Sequence, residues 1–181
     1  MLQKLFSCLS SLVLLGFLAM NAPTGPAPAV AAGAGNAAEE RTLAFPGAEG
    51  FGALAEGGRG GRVIAVTTLE DYDPAKQEPV AGSFREACAA EGPRMIVFRV
   101  SGWIDLAAPL WIDEPRVTIA GQTASGGGVG LRGDTFGIGN QTPGEPVHDV
   151  IVRHLRVRCG PGREKGHAPD AFAINNAHDV I

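Results

Sequence analysis

Short hydrophobic runs separated by turns dominate the chain after Pro93. Each run is three to five residues long and rich in β-branched or aromatic side chains, the composition of β-strands. The runs are Met95–Phe98, Trp103–Leu106, Leu110–Ile112, Arg116–Ile119, Gly128–Leu131, Asp149–Val152, Leu155–Arg158, Ala171–Ile174 and Asp179–Ile181. No two-residue Asn-Gly link of the kind that hairpins prefer joins them, and no second amphipathic helix supplies a crossover. The pattern predicts many short strands without hairpin or βαβ connections.

The spacing of apolar residues around position 153 predicts a sharp bend. Val150 and Val152 share one parity along the chain, whereas Leu155 and Val157 share the other. A flat strand would place the two pairs on opposite faces, because successive side chains of a strand alternate. A bend at Arg153–His154 lets both pairs face inward, as in the bent strands that stack coil on coil in a β-helix.

A repeat favours the same architecture. Arg116–Ile119, Asp149–Val152 and Asp179–Ile181 resemble one another at offsets of about thirty residues, which is one coil with its loop. We therefore predict an all-β parallel β-helix. The alternative is an antiparallel sandwich, which also consists of many short strands.

One helix precedes these strands. Ser83 and Glu86 form a capping box, in which the Ser83 hydroxyl accepts the Glu86 N–H and the Glu86 carboxylate accepts the Ser83 N–H. Gly92–Pro93 end the predicted helix after about two and a half turns. Its apolar stripe is Phe84, Ala87 and Cys88. Because the open end of a β-helix exposes strand edges and an apolar bore, we predict that this short N-terminal helix caps it.

The first residues have the pattern of an export signal. The apolar stretch Leu5–Met20 follows a basic start and leads to small residues at Ala29–Ala32. A membrane anchor is the alternative, but the stretch is short for a spanning helix and Pro23 ends it. The predicted organisation is a signal peptide at 1–32, a disordered spacer at 33–42 and one domain at 43–181. We expect a secreted protein without stable membrane association.

Charge narrows the possible ligands. The formal net charge is −4 and the pI is near 5.5, which speaks against nucleic-acid binding because such proteins favour a basic face. An acidic polysaccharide stays possible, since a local basic cleft or a bound cation can reverse the local field.

Two cysteines, Cys88 and Cys159, remain once Cys8 leaves with the signal peptide. In an exported protein they can pair, or each can serve as a small buried apolar residue. The chain has no Cys-x-x-Cys spacing, so zinc has no support.

Six segments in order resemble pectate lyases and related polysaccharide lyases. They are Ala44–Gly52, Gly60–Leu69, Gly82–Ala87, Arg94–Gly102, Val117–Ala124 and Asp149–Arg158. The resemblance runs from about Leu43 to Ile181. It implies a right-handed parallel β-helix that is incomplete at the C-terminus, because Asp179–Ile181 stops in mid-strand.

The same resemblance implies Ca²⁺-assisted β-elimination on polygalacturonate or pectin. Ca²⁺ neutralises the uronate and acidifies its C5 proton, and an arginine acts as the base. Asp170, in Asp170–Ile174, matches the family's Asp-Ala-x-x-Ile stretch, whose aspartate is a Ca²⁺ ligand; a turn aspartate is the plainer interpretation. The further ligands and the arginine are expected beyond this segment, which therefore contains no catalytic residue. We expect a monomer without turnover of its own.

Several other groups are candidates for chemistry or for simple packing. Asn175 and Asn176 are candidates for an amide ladder at a coil bend, and Asp105 and Asp113 for a hydrolase carboxylate pair. Trp103 and Trp111 are expected to pack in the core or the cap, with a platform for a sugar ring as the alternative. A basic run, either a cleft for a polyanionic sugar or solvated coil faces, comprises Arg153, Arg156, Arg158, Arg163 and Lys165. Four histidines, without the helical spacing of a metal site, are His148, His154, His167 and His178.

Two alternatives to a lyase remain from the sequence. One is a non-catalytic β-helix that binds polysaccharide or serves as a surface module. The other is a β-helix hydrolase of galacturonan, which needs paired aspartates and no Ca²⁺.

Overall fold

Every strand pair in the described part of the chain is parallel. The structure, a computed structural model, describes residues 42–140, 144–160 and 169–181. The predicted signal peptide, and the predicted spacer apart from Thr42, lie outside these residues. The strands are β1 (Arg62–Val66), β2 (Arg94–Phe98), β3 (Gly102–Asp105), β4 (Leu110–Ile112), β5 (Val117–Ala120), β6 (Val129–Arg132), β7 (Phe136–Ile138), β8 (Val147–Arg153), β9 (Leu155–Arg158), β10 (Phe172–Ile174) and β11 (Ala177–Val180). The helix α1 spans Phe84–Cys88, and a 3-10 turn spans Gly121–Thr123.

The strands form three sheets, with the orders β1-β2-β5-β8-β11, β4-β7-β10 and β3-β6-β9. Three coils contribute one strand to each sheet: β2, β3 and β4, then β5, β6 and β7, then β8, β9 and β10. The strands β1 and β11 extend the first sheet at its two ends. This arrangement confirms the predicted all-β, right-handed parallel β-helix and excludes the antiparallel sandwich.

The interior consists of like residues stacked from coil to coil. Ile96 pairs with Ile119, which pairs in turn with Val152. Similar stacks join Ile104, Leu131 and Val157 in the second sheet, and Leu110, Phe136 and Phe172 in the third. Burying such stacks stabilises the fold by roughly 1.5–3 kcal/mol for each fully buried large aliphatic side chain.

The predicted bend between β8 and β9 is present. His154 separates the two strands with a φ of +55°, the left-handed region that turns the chain sharply. Val150, on one side of the bend, and Leu155 and Val157, on the other, all pack in the interior cluster. The predicted repeat is also real, because β5, β8 and β11 are neighbours in one sheet.

The capping helix is present but shorter than predicted. It ends at Cys88 after five residues, before the chain reaches Gly92–Pro93. The Ser83 hydroxyl accepts the Glu86 N–H at 3.2 Å, as predicted. The Glu86 carboxylate instead accepts the N–H of Gly82 at 2.6 Å, so the second half of the capping box is displaced by one residue. Phe84 lies against Phe98 and Phe136, with ring centroids 5.5 and 5.9 Å away, which closes the bore.

The segment 42–61 crosses the outer side of the five-stranded sheet, and glycines permit the contact. A Cβ at Gly58 would collide with the carbonyl oxygen of Arg94, and one at Gly52 with that of Val180. The Gly58 N–H donates to the Thr118 hydroxyl at 2.9 Å. The Gly-rich run is therefore a close-packed arm across the coils.

Both cysteines are free: Cys88 is buried and Cys159 is half-buried. Burial strongly raises the pKa of the Cys88 thiol, so it behaves as a small apolar core residue. No helix among the described residues is long and apolar enough to cross a membrane.

Candidate functional site

Asp170 lies at the amino end of β10, where a loop from the second sheet enters the third. Its side chain is exposed, two residues before Phe172, which pairs with Phe136 of β7. The neighbouring backbone is held by the Cys159 Sγ, which lies 3.1 Å from the carbonyl oxygen of Pro169. Asp170 is thus an exposed carboxylate on a supported turn, consistent with a ligand and with a turn aspartate alike.

A second aspartate occupies the same place one coil earlier, and the sequence analysis did not identify it. Asp134 stands two residues before Phe136, as Asp170 stands two residues before Phe172. Asp134 is only 5% exposed, and its Oδ1 accepts the Thr135 N–H at 2.8 Å. The signal available in the sequence was the Asp-x-Phe spacing, repeated after 36 positions.

Neither tryptophan belongs to the interior cluster, so the predicted packing in the core is wrong. Trp111 lies on the outer side of the third sheet over Gly137, and Trp103 on the outer side of the second sheet over Gly130. In each case the residue under the ring is a glycine, and a Cβ at that position would collide with the ring.

The structure divides the basic run between two sheets. Arg153 belongs to β8, with its guanidinium carbon 4.1 Å from the Phe45 ring centroid. Arg156 and Arg158 are exposed on β9. Arg163 and Lys165 lie outside the described residues. The described arginines therefore do not form one cleft around Asp170.

Asp105 is paired with an arginine and not with Asp113. It binds Arg132 through both carboxylate oxygens, at 2.6 and 3.0 Å, and this hydrogen bond raises the pKa of the Arg132 guanidinium. Asp113 follows β4, on a different sheet. The two aspartates therefore do not form the carboxylate pair of a hydrolase.

Of the two asparagines predicted to form an internal amide ladder, Asn176 pairs with Asn140 of the preceding coil, and it does so at the surface. The Asn176 amide donates to Asn140 Oδ1 at 2.8 Å and to the Gly144 carbonyl at 3.2 Å. His148 and His178 stack on adjacent coils, with ring centroids 5.4 Å apart. Both pairs continue the coil-to-coil repeat on the surface. These contacts account for the residues without a catalytic or metal-binding role. His167 lies outside the described residues.

The described residues offer an oxygen ligand of the type that Ca²⁺ prefers, but too few of them to complete its coordination. Ca²⁺ takes six to eight oxygen ligands, and the exposed Asp170 carboxylate is a suitable one. Among residues 42–140, 144–160 and 169–181, no three His, Cys, Asp or Glu side chains are grouped so as to hold a metal ion. Asp170 alone would supply only part of the coordination.

The chain has curated relatives of similar sequence. A probable pectate lyase C of Emericella nidulans is 46% identical over 139 residues, which are 77% of this chain. The chain is similar in sequence to proteins named probable pectate lyase C. Probable pectate lyases C of Aspergillus fumigatus and Aspergillus oryzae are 40% and 39% identical over the same length. The chain spans only 29% of the length of these relatives.

No protein-family model matches the chain. Among solved structures, the major allergen of cedar pollen, Jun a 1, has 27% sequence identity and a TM-score of 0.47. That similarity covers 59% of this chain and 28% of the allergen.

Proposed function

We propose that this chain is the N-terminal portion of a secreted lyase that cleaves polygalacturonate by Ca²⁺-assisted β-elimination. The observation that carries the proposal is the identity of 39–46% to probable pectate lyases over 139 residues. The parallel coils that present Asp170 at the surface support it.

In this proposal Asp170 holds part of the metal site. When bound, Ca²⁺ neutralises the uronate carboxylate and stabilises the charge that develops on it in the transition state. The exposed position of Asp170 leaves room for a substrate carboxylate to share the ion. No residue of the 181 is assigned as the base, and the chain by itself is proposed not to turn over substrate.

Calcium binding tests the role of Asp170. We expect the chain to bind Ca²⁺ in the presence of trigalacturonate, by titration calorimetry, and Asp170→Asn to abolish this binding. Asp113→Asn is the matched control, because Asp113 is also exposed and lies at the other end of a strand in the same sheet. Equal Ca²⁺ affinity for Asp170→Asn and the unmodified chain would refute the assignment.

Turnover is tested by the ultraviolet absorbance of unsaturated products from polygalacturonate, with and without EGTA. The 181-residue chain is expected to give none, and a longer protein that contains it is expected to give an EGTA-sensitive signal. EGTA-sensitive product from the chain alone would contradict the absence of a base.

Secretion and cleavage belong to the same proposal. The apolar N-terminal stretch supports export, and mass spectrometry of the exported protein should find an N-terminus close to residue 33. Recovery of the intact N-terminus in a membrane fraction would favour the anchor instead. Size-exclusion chromatography with light scattering is expected to show a monomer.

A further inference from the structure

The outer side of the β3-β6-β9 sheet presents two rows of residues. Ile104 and Leu131 point into the buried interior, so the residues on either side of them point outward. The rows, read from β3 to β9, are Trp103, Gly130 and Arg156, and Asp105, Arg132 and Arg158. We call this surface the Trp103 face. It carries three guanidinium groups and one carboxylate.

Trp103 holds two of the guanidinium groups in place. Its ring lies over Gly130, and the guanidinium carbons of Arg132 and Arg156 lie 5.9 and 5.2 Å from its centroid. Cation–π attraction favours positive groups at such distances. The two charges are therefore arranged on a rigid aromatic platform and lose less entropy on binding an anion.

The Trp103 face has more guanidinium groups than carboxylates to pair with them. Arg132 is paired with Asp105. Arg156 is exposed, and the structure shows no hydrogen bond or ion pair from it to another described residue. Arg158 is also exposed and donates to the Val157 carbonyl at 2.9 Å. Two guanidinium groups thus face solvent without a described carboxylate partner.

Open grooves extend the Trp103 face on two sides. One, of about 790 Å³, lies beside Trp103 and is lined by Thr67, Thr68 and Gln77 and by the acidic residues Glu70, Asp71 and Asp105, so an acidic chain is favoured to extend from Trp103 toward the other groove. The other, of about 410 Å³, lies beside Arg156 and His154. Hydroxyl, amide and imidazole groups can donate to and accept from sugar hydroxyls. A chain longer than one sugar would find polar partners beyond the platform.

We infer that the Trp103 face is a second polysaccharide-binding site, which takes the uronate groups of a polygalacturonate chain without Ca²⁺. A uronate carboxylate binds Arg156, whose planar fork suits a carboxylate, and a pyranose ring packs against Trp103. Repeated carboxylates along the polymer complement the uncompensated arginines. The choice of polymer rests on the proposed function, but the site itself does not, because it lies on a different sheet from β10 and uses no metal.

Binding of the 181-residue chain to polygalacturonate, measured by affinity electrophoresis in EGTA at low salt, tests this site. We expect Arg156→Gln, which removes one charge-assisted contact, and Trp103→Leu, which removes the ring that packs against the sugar, each to weaken binding by about tenfold. Arg153→Gln is the matched control, since it removes the same charge from another sheet, where Arg153 also lies over an aromatic ring. It should bind as the unmodified chain does.

Four results would overturn the inference. They are no binding in EGTA, equal weakening by Arg156→Gln and Arg153→Gln, equal affinity for fully methyl-esterified pectin, and equal affinity for dextran sulfate. Asp170→Asn should not change binding in EGTA, so a failure at the calcium site and a failure at the Trp103 face are separable.

Fluorescence supplies a readout that does not depend on substitution at the face. The chain has two tryptophans, so Trp111→Phe leaves Trp103 as the single reporter. We expect trigalacturonate in EGTA to shift or quench its emission in a saturable way. An unchanged spectrum at concentrations that saturate the electrophoretic binding would place the ligand elsewhere and refute the site.

Discussion

Removal of the Asp71 carboxylate should destabilise the fold more than any surface ion-pair change. Asp71 binds Arg85 of the capping helix through both oxygens, each at 2.8 Å, and the two side chains are 1% and 6% exposed. Asp71 also accepts the Ala107 N–H at 2.8 Å. Arg85 donates further to the carbonyls of Ala108 and Pro109, at 2.6 and 3.0 Å. The network fastens the helix to the turn that leads into β4.

The magnitude follows from leaving a charge without its partner in the interior. Asp71→Ala leaves the buried Arg85 cation with only carbonyl acceptors, and breaking such a buried pair costs about 3–5 kcal/mol. Since small domains are stable by only about 5–15 kcal/mol, the urea midpoint should fall markedly. Replacing Arg85 by Met in the same variant removes the lone charge and should restore part of the loss.

Urea unfolding followed by circular dichroism measures both effects. Asp105→Ala is the matched control, because the Asp105–Arg132 pair has the same two-bond geometry but is 60% and 51% exposed. Exposed pairs contribute about 0–1 kcal/mol. If Asp71→Ala and Asp105→Ala cost the same, or if adding Arg85→Met to Asp71→Ala deepens the loss, burial of the charge is not the cause.

Three further outcomes follow from the packing. Gly58→Ala should lower the free energy of unfolding in urea by about 1–3 kcal/mol, because the added Cβ meets the strand backbone. Gly127→Ala, which has open space around it, should leave the stability unchanged. Equal effects of the two substitutions would contradict the close-packed arm. Ile119→Ala, at a fully buried position, should cost about 2–5 kcal/mol, and a loss under half of that would show that the stack is loosely packed. Iodoacetamide at mildly alkaline pH should label Cys159 and not Cys88, whose pKa is raised by burial, until urea unfolds the chain; labelling of native Cys88 would refute its burial.

The pattern of apolar residues was enough to predict the winding of the chain. The parity change between Val152 and Leu155 requires a bend if both residues are to face inward, and His154 makes that bend. The strand β7 escaped prediction because Phe136–Ile138 is only three residues long and contains a glycine. Phe136–Ile138 is a strand because it pairs with β4 and β10, and the residues around it in the sequence do not indicate that pairing.

The contacts between coils were not predictable, because they join residues distant in sequence. Nothing local to Gly58 indicates that it crosses the backbone of Arg94, 36 positions later, or that Gly130 lies under Trp103. Asp170 was identified only through its resemblance to a motif, and its exposed position leaves its role as a Ca²⁺ ligand a prediction. The partners of Arg156 likewise depend on the register of β3, β6 and β9.

The stacked architecture separates the requirements of folding from those of binding. Most inward positions are large and apolar, as Ile104, Leu131 and Val157 are, because a buried polar group must find hydrogen-bond partners. Arg94, which is fully buried, meets this requirement by donating to the Cys88 carbonyl at 2.7 Å. Outward positions alternate with them and carry no such constraint. Two sheets can therefore carry different chemistry: a carboxylate beside β10, and on the β3-β6-β9 sheet the arginines around Trp103.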